Sequence, residues 1–191
     1  KMQSLNHLIN KKLILVTGKG GTGKTTLSAT LGLYAASARK KTLIVEFSSM
    51  GQIPQFFDIP SSKKDHNLEC SEFLDTINFT SRGCLNAYLQ HRFGRGSYYE
   101  KFLTQNTLWS FFQALPGLSE IMLLGRLYHY CHSPAVLSNY DLVIFDCPAT
   151  GHFLSLLQTP QGVLDSKLGG TLSEHSKQVQ EFLFSSGQCA V

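Results

Sequence analysis

Gly18-Lys19-Gly20-Gly21-Thr22-Gly23-Lys24-Thr25 is a glycine-rich stretch closed by a lysine and a hydroxyl residue, the spacing that lets a backbone wrap around phosphate groups. Glycines allow the chain to curl without Cβ clashes, so successive N–H groups turn inward toward one anion. A helix starting at the lysine adds the partial positive charge of its N-terminus. In such a cradle Lys24 is expected to reach the β and γ phosphates of a nucleotide, the Thr25 hydroxyl to take one position on Mg2+, and Thr26 to support the α phosphate. Asp146 has matching chemistry. It ends the apolar run Leu142 to Phe145, where an open α/β sheet places its ligand crevice, and a carboxylate there orients the same metal. The expected ligands are therefore ATP and Mg2+, with residues Gly18 to Thr26 as the cradle and Thr25 and Asp146 on the metal's side. The plainer alternatives are a glycine-rich turn and an aspartate that caps a strand.

These groups need a scaffold, and the flanking segments supply one. Leu13 to Thr17 and Thr42 to Phe47 are short apolar runs of the kind buried on both faces of a parallel sheet. Between them Leu27, Leu31, Tyr34, Ala35 and Ala38 recur at spacings of three and four from Lys24 to Arg39, which predicts a helix and hence a right-handed βαβ unit. Leu142 to Phe145 is a third buried strand, expected beside the first. An edge strand is expected near Leu68 to Leu74, several helices between Ser81 and Cys131, and a last helix from Leu172 to Phe184. The fold class is thus α/β, a mostly parallel sheet flanked by helices, with a helical region between the second strong strand and the strand of Asp146.

With 191 residues the chain suits a single domain spanning 1–191. Its 42% hydrophobic and 16% charged residues exclude a disordered chain. A net charge of +4 with scattered Lys and Arg gives no nucleic-acid footprint. Five cysteines without a CxxC pair point to a reducing cytoplasm. Leu108 to Cys131, the longest apolar stretch, is broken by Gln113, Pro116, Glu120 and Arg126, so no transmembrane span is expected. The chain begins with Lys, and Gln188 to Val191 reads as a strand cut partway; an N-terminal part of a longer protein, lacking its C-terminal strands and adenine-binding segments, is the expectation.

With Lys19 the string GKGGTGKTT resembles the deviant Walker A of a P-loop family. Its members include the arsenical-pump ATPase, the ATPase that targets tail-anchored proteins, the septum-site and chromosome-partitioning ATPases and the nitrogenase iron protein. Asp146-Cys147-Pro148-Ala149-Thr150-Gly151-His152 is similar to the switch II motif of the arsenical-pump and tail-anchored-targeting branch, an Asp followed by a TGH triplet. The resemblance implies an ATP-sandwiched homodimer in which Lys19 acts on the other subunit's nucleotide, a role for Gly151 and His152 in a loop that moves on hydrolysis, and a membrane-protein or other hydrophobic client. From the residues alone Lys19 also reads as a solvated loop lysine.

The motif departs from the family after the second strand, where Ser48 stands at the position that usually carries an acidic residue. A serine is no comparable base. Glu46, two residues earlier, points to the same side of an extended strand and stands as a substitute or as a contact of Lys24 or the metal shell. Lys19, Lys24, Glu46 and Asp146 are the catalytic candidates. An ATP-hydrolysing switch, a nucleotide-gated binding module with little turnover, and a small-molecule kinase all stay open, the last weakened because Arg92 and Arg95 are the only near arginine pair. Phe93, Tyr98, Tyr99, Phe102, Trp109, Phe111, Phe112, Tyr128 and Tyr130 crowd the helical region either as core or as an apolar client groove.

Overall fold

The computed structural model describes residues 2–48, 51–60, 65–94, 109–110, 112, 114–115, 117–132, 140–165, 170–185 and 187–191. The elements run α1 (Met2–Leu8), β1 (Leu13–Val16), α2 (Lys24–Ser37), β2 (Thr42–Phe47), a 3-10 turn (Ile53–Phe57), β3 (Leu68–Ser71), β4 (Leu74–Phe79), α3 (Ser81–Phe93), α4 (Leu118–His132), β5 (Leu142–Asp146), α5 (Thr150–Asp165), α6 (Thr171–Leu183) and β6 (Cys189–Ala190). The strands form one sheet in the order β3-β4-β2-β5-β1-β6. All pairs are parallel except β3 with β4, so the α/β sheet read from the sequence is present and β5 lies between β1 and β2.

Alternate residues of the parallel strands feed two cores. Leu13, Leu15, Leu43, Val45, Ile77, Phe79, Val143 and Phe145 pack with α3, α4, α5 and α6 on one face. Ile14, Val16, Ile44, Leu74, Leu142 and Ile144 pack with Leu31 and Ala35 of α2 on the other. Because both faces are covered, the central strands are apolar almost throughout, which is why they were legible as unbroken runs.

Two expectations about elements change. The edge-strand region contains a hairpin rather than one strand. β3 forms the edge, and β4, fully buried, is a central parallel strand whose Asp75, Thr76 and Asn78 interrupt its apolar character. The α2 face also differs: Leu27 is 52% exposed, while Ser28, Ala29, Leu31, Gly32 and Ala35 are buried. Small residues win because this helix lies close to the sheet. A Cβ on Gly32 would stand 2.6 Å from Ile44 Cδ1 and 3.1 Å from Leu74 Cδ1. Helix propensity favours Gly32→Ala by about 1 kcal/mol, but overpacking a filled core costs about 1–3 kcal/mol. The expected result is a lower urea midpoint for G32A; an unchanged or raised midpoint would mean that Ile44 turns aside freely.

The helical region is packed as core where it is described. Phe112, Tyr130 and Cys131 are buried, and Trp109 and Tyr128 pack against them. Arg126 lies over the Phe79 ring, 4.0 Å from its centroid, and pairs with Asp65 at 2.7 Å. Tyr98, Tyr99, Phe102, Phe111, Arg95 and the side chains of Arg92 and Phe93 lie outside the described residues. No helix among those described is long and apolar enough to cross a membrane.

Candidate active site

The loop between β1 and α2 takes the shape its glycines permit. Gly21 and Gly23 have φ of 77° and 82°, a region that residues with a Cβ rarely adopt, and Gly23 caps α2. Lys19 to Gly23 are exposed and Lys24 and Thr25 half-buried. Thr22 Oγ1 donates to the Lys19 carbonyl at 2.8 Å, and Lys24 Nζ donates to the same carbonyl at 3.3 Å. The lysine thus folds back over the loop, its ammonium at the Lys19 carbonyl. Thr26 is exposed, and its carbonyl accepts from Thr30 Oγ1 at 2.8 Å.

Strand register brings the second half of the site. Val16 pairs with Asp146, Asp146 with Glu46, and Glu46 with Asn78. Cross-strand partners share a face, so these four residues form a row at the C-terminal edge, under the start of α2. Asp146 Oδ2 accepts from Thr25 Oγ1 at 2.7 Å and Oδ1 from Ser28 Oγ at 3.2 Å. The cradle and the strand carboxylate, 121 residues apart in sequence, are therefore in direct contact. Cys147 N donates to Val16 O at 3.0 Å and Thr150 N to Gly18 O at 3.3 Å, tying the segment after β5 to the cradle. A pocket of about 200 Å³ opens here, with Lys24, Thr25, Glu46, Ser48, Gln52 and Asp146 on its walls.

Glu46 is engaged on both oxygens. Oε1 accepts from Gln52 N at 2.9 Å, and Oε2 accepts from Gln52 N and Ile53 N, each at 2.9 Å, so the carboxylate holds the start of the 3-10 turn. Burial pushes its pKa above the ordinary 4.5, the two backbone N–H groups pull it back in part, and the charge of Asp146 adds a smaller upward push. Between 4.5 and the raised value the folded chain keeps a proton that the unfolded chain has released. Stability from this group is therefore highest at acid pH and falls as pH rises through that window. Urea unfolding across this range should show that decline in the wild type and lose it in Glu46→Gln; an identical slope in both would contradict the assignment.

Each site residue read from the sequence is now placed. Lys24, Thr25, Glu46 and Asp146 converge on one pocket. Lys19 stands outside it, exposed at the loop tip. Thr150, Gly151 and His152 form the first turn of α5 rather than a loop, with Phe153 N donating to Ala149 O at 3.1 Å, and Gly151 and His152 are exposed. Sequence reading missed Ser28, fully buried against Asp146, although its place three residues after Thr25 on a helix puts both on one face. It also missed Asn78, hidden in the unrecognised β4.

Comparison with known proteins agrees with this geometry. ATPase BagA of Mycobacterium tuberculosis is 28% identical over 186 residues, covering 94% of this chain and 55% of the relative. ATPase asna-1 of Caenorhabditis elegans is 30% identical over 172 residues, 82% of this chain and 48% of the relative. The ATPase ASNA1 homolog of Entamoeba dispar is 29% identical over 174 residues, 85% and 51% of the two chains. The chain spans about half the length of the curated relatives it matches. The sequence model of the anion-transporting ATPases matches residues 11–189, and with the glycine cradle and strand carboxylate in contact at the sheet edge, the chain belongs to the anion-transporting ATPase family.

Proposed function

We propose that this chain binds Mg-ATP between the Gly18 to Thr26 loop and Asp146, hydrolyses it, and acts as a dimeric switch whose nucleotide state is relayed to a partner. The observation that carries the reading is the 2.7 Å hydrogen bond from Thr25 Oγ1 to Asp146 Oδ2. It places a hydroxyl and a carboxylate oxygen side by side where the glycine loop meets α2, a hard oxygen donor set of the kind Mg2+ takes. Thr25 and Asp146 would hold the ion, which when bound neutralises charge on the phosphates. Lys24 exchanges its bond to the Lys19 carbonyl for phosphate oxygens. The water oxygen attacks the γ phosphorus, the bond to the bridging oxygen breaks, ADP keeps that oxygen, and the water's proton leaves with the released phosphate. The protein's part is positioning and charge stabilisation.

Lys19, exposed at the loop tip, is placed to reach a second copy's nucleotide in a homodimer, and the resemblance of residues 146–152 to the tail-anchored-targeting branch supports a cytoplasmic ATPase with a membrane-protein or hydrophobic client. Nucleotide binding and phosphate release by the full-length protein, with and without Mg2+, test the reading. Release dependent on Mg2+ supports it; absence of any binding overturns it. A second reading, a nucleotide-gated binding module with little turnover, is favoured by one feature: Ser48 stands at the pocket where the resemblance implies an acidic residue, and the nearby Glu46 carboxylate is occupied by backbone N–H groups. Tight binding without release would select it.

A further inference from the structure

The row that carries Asp146 and Glu46 continues to Asn78 on β4. Asn78 is 6% exposed, and both ends of its amide serve one residue. Ser48 N donates to Oδ1 at 3.1 Å, Ser48 Oγ donates to the same oxygen at 3.3 Å, and Nδ2 donates to Ser48 O at 3.1 Å. Only one orientation of the amide pairs all of these groups.

The clamp exists because the strands part at this point. Backbone pairing of β2 with β4 ends at Phe47 and Phe79. Thr80 then turns away to cap α3, its hydroxyl accepting from Gly83 N at 3.0 Å. The Asn78 side chain supplies the rung that the backbone no longer can, and it grips residue 48 by its main chain. Ser48 lies on the wall of the same pocket as Lys24 and Asp146. The neighbouring member of the same strand row, Glu46, anchors Gln52 and Ile53. The packing leaves little slack, since a Cβ on Gly51 would stand 3.2 Å from Glu46 Oε2 and 3.3 Å from Asn78 Cβ.

We propose that Asn78 is a positioning residue for ATP hydrolysis: by holding Ser48 through its main chain, it fixes the end of β2 and Ser48 itself on the wall of the pocket that hydrolysis uses. It acts on turnover and hardly on nucleotide affinity, because the cradle and Asp146 are built by other strands. The inference rests on the proposed ATPase reading of the same pocket. Misplacing a positioning group by about 1 Å costs up to roughly 100-fold in rate, so the effect is large enough to measure.

The test uses Asn78→Ala and Asn78→Asp in the full-length protein, with phosphate release and binding of a fluorescent ATP analogue followed from mildly acidic to neutral pH. For Asn78→Ala, kcat should fall about tenfold or more while the analogue's Kd changes by less than about threefold. In Asn78→Asp the introduced carboxylate faces the Ser48 carbonyl without a proton to donate, so kcat is low at neutral pH. As the pH falls and that carboxyl takes a proton, the O–H can donate to Ser48 O, and kcat relative to wild type recovers. A side chain serving only stability would lower the melting temperature, kcat and affinity together and give no such recovery. Wild-type kcat in Asn78→Ala, or parallel loss of affinity and fold in both variants, overturns the positioning role alone. Binding without turnover in the wild type also removes it, whereas a wild type that binds no nucleotide sinks the underlying ATPase reading.

Discussion

Lys24→Ala should weaken binding of a fluorescent ATP analogue about 10- to 100-fold, the worth of a charge-assisted contact of roughly 1.5–3 kcal/mol, and bring phosphate release down to background. The physical case rests on where the ammonium lies. It stands on the pocket wall and its one hydrogen bond in the described structure is a 3.3 Å contact with the Lys19 carbonyl, so the folded chain gives up little when the side chain is shortened. The bound triphosphate would lose the point charge that faces its β and γ groups. Melting temperature should therefore stay near the wild-type value while nucleotide binding collapses. Unchanged affinity in the variant would remove the lysine from the site.

Asp146→Asn should separate binding from turnover. The substitution keeps the size of the side chain; of Thr25 and Ser28, which donate to different oxygens at 2.7 Å and 3.2 Å, one keeps its acceptor and the other hydroxyl turns to accept from the amide N–H. It removes the negative charge beside the expected Mg2+. Several kcal/mol of charge stabilisation depend on a correctly held metal, so kcat should fall by roughly 100-fold or more. Nucleotide affinity measured without Mg2+ should be little changed, and the gain in affinity on adding Mg2+ should shrink. A second consequence follows from the strand row: with the Asp146 charge gone, one of the causes that raises the Glu46 pKa disappears. The decline in stability with rising pH assigned to Glu46 should become shallower in the same variant. Wild-type turnover in Asp146→Asn would contradict the metal-side assignment.

Much of this arrangement was legible in the residues because its physics is local. GxxxxGK[ST] needs only one loop and one helix end, and Leu13 to Thr17, Thr42 to Phe47 and Leu142 to Phe145 are apolar on both sides because both faces of the sheet are covered. β4 was not legible. Its Asp75, Thr76 and Asn78 are satisfied by partners far along the chain, among them Lys41, Tyr140 and Ser48, and such pairing has no periodic signature. Leu27 was expected in the core and is half exposed because the α2 face that meets the sheet is chosen by close approach at Gly32, a steric matter that apolar spacing does not carry. Lys24, Thr25 and Asp146, read from spacing as one site, line one pocket, and Glu46, read either as a substitute base or as a contact of Lys24 or the metal shell, lines it with them. What spacing did not reveal is that Glu46 already holds Gln52 and Ile53, because that contact depends on the turn after β2 folding back onto its own strand.

The measurement that bears most directly on the central claim is phosphate release from ATP by the full-length protein, followed with Mg2+ present and with Mg2+ chelated. The account predicts steady release that requires the metal and is lost in Lys24→Ala. Neither release nor binding of a fluorescent ATP analogue under either condition would contradict it.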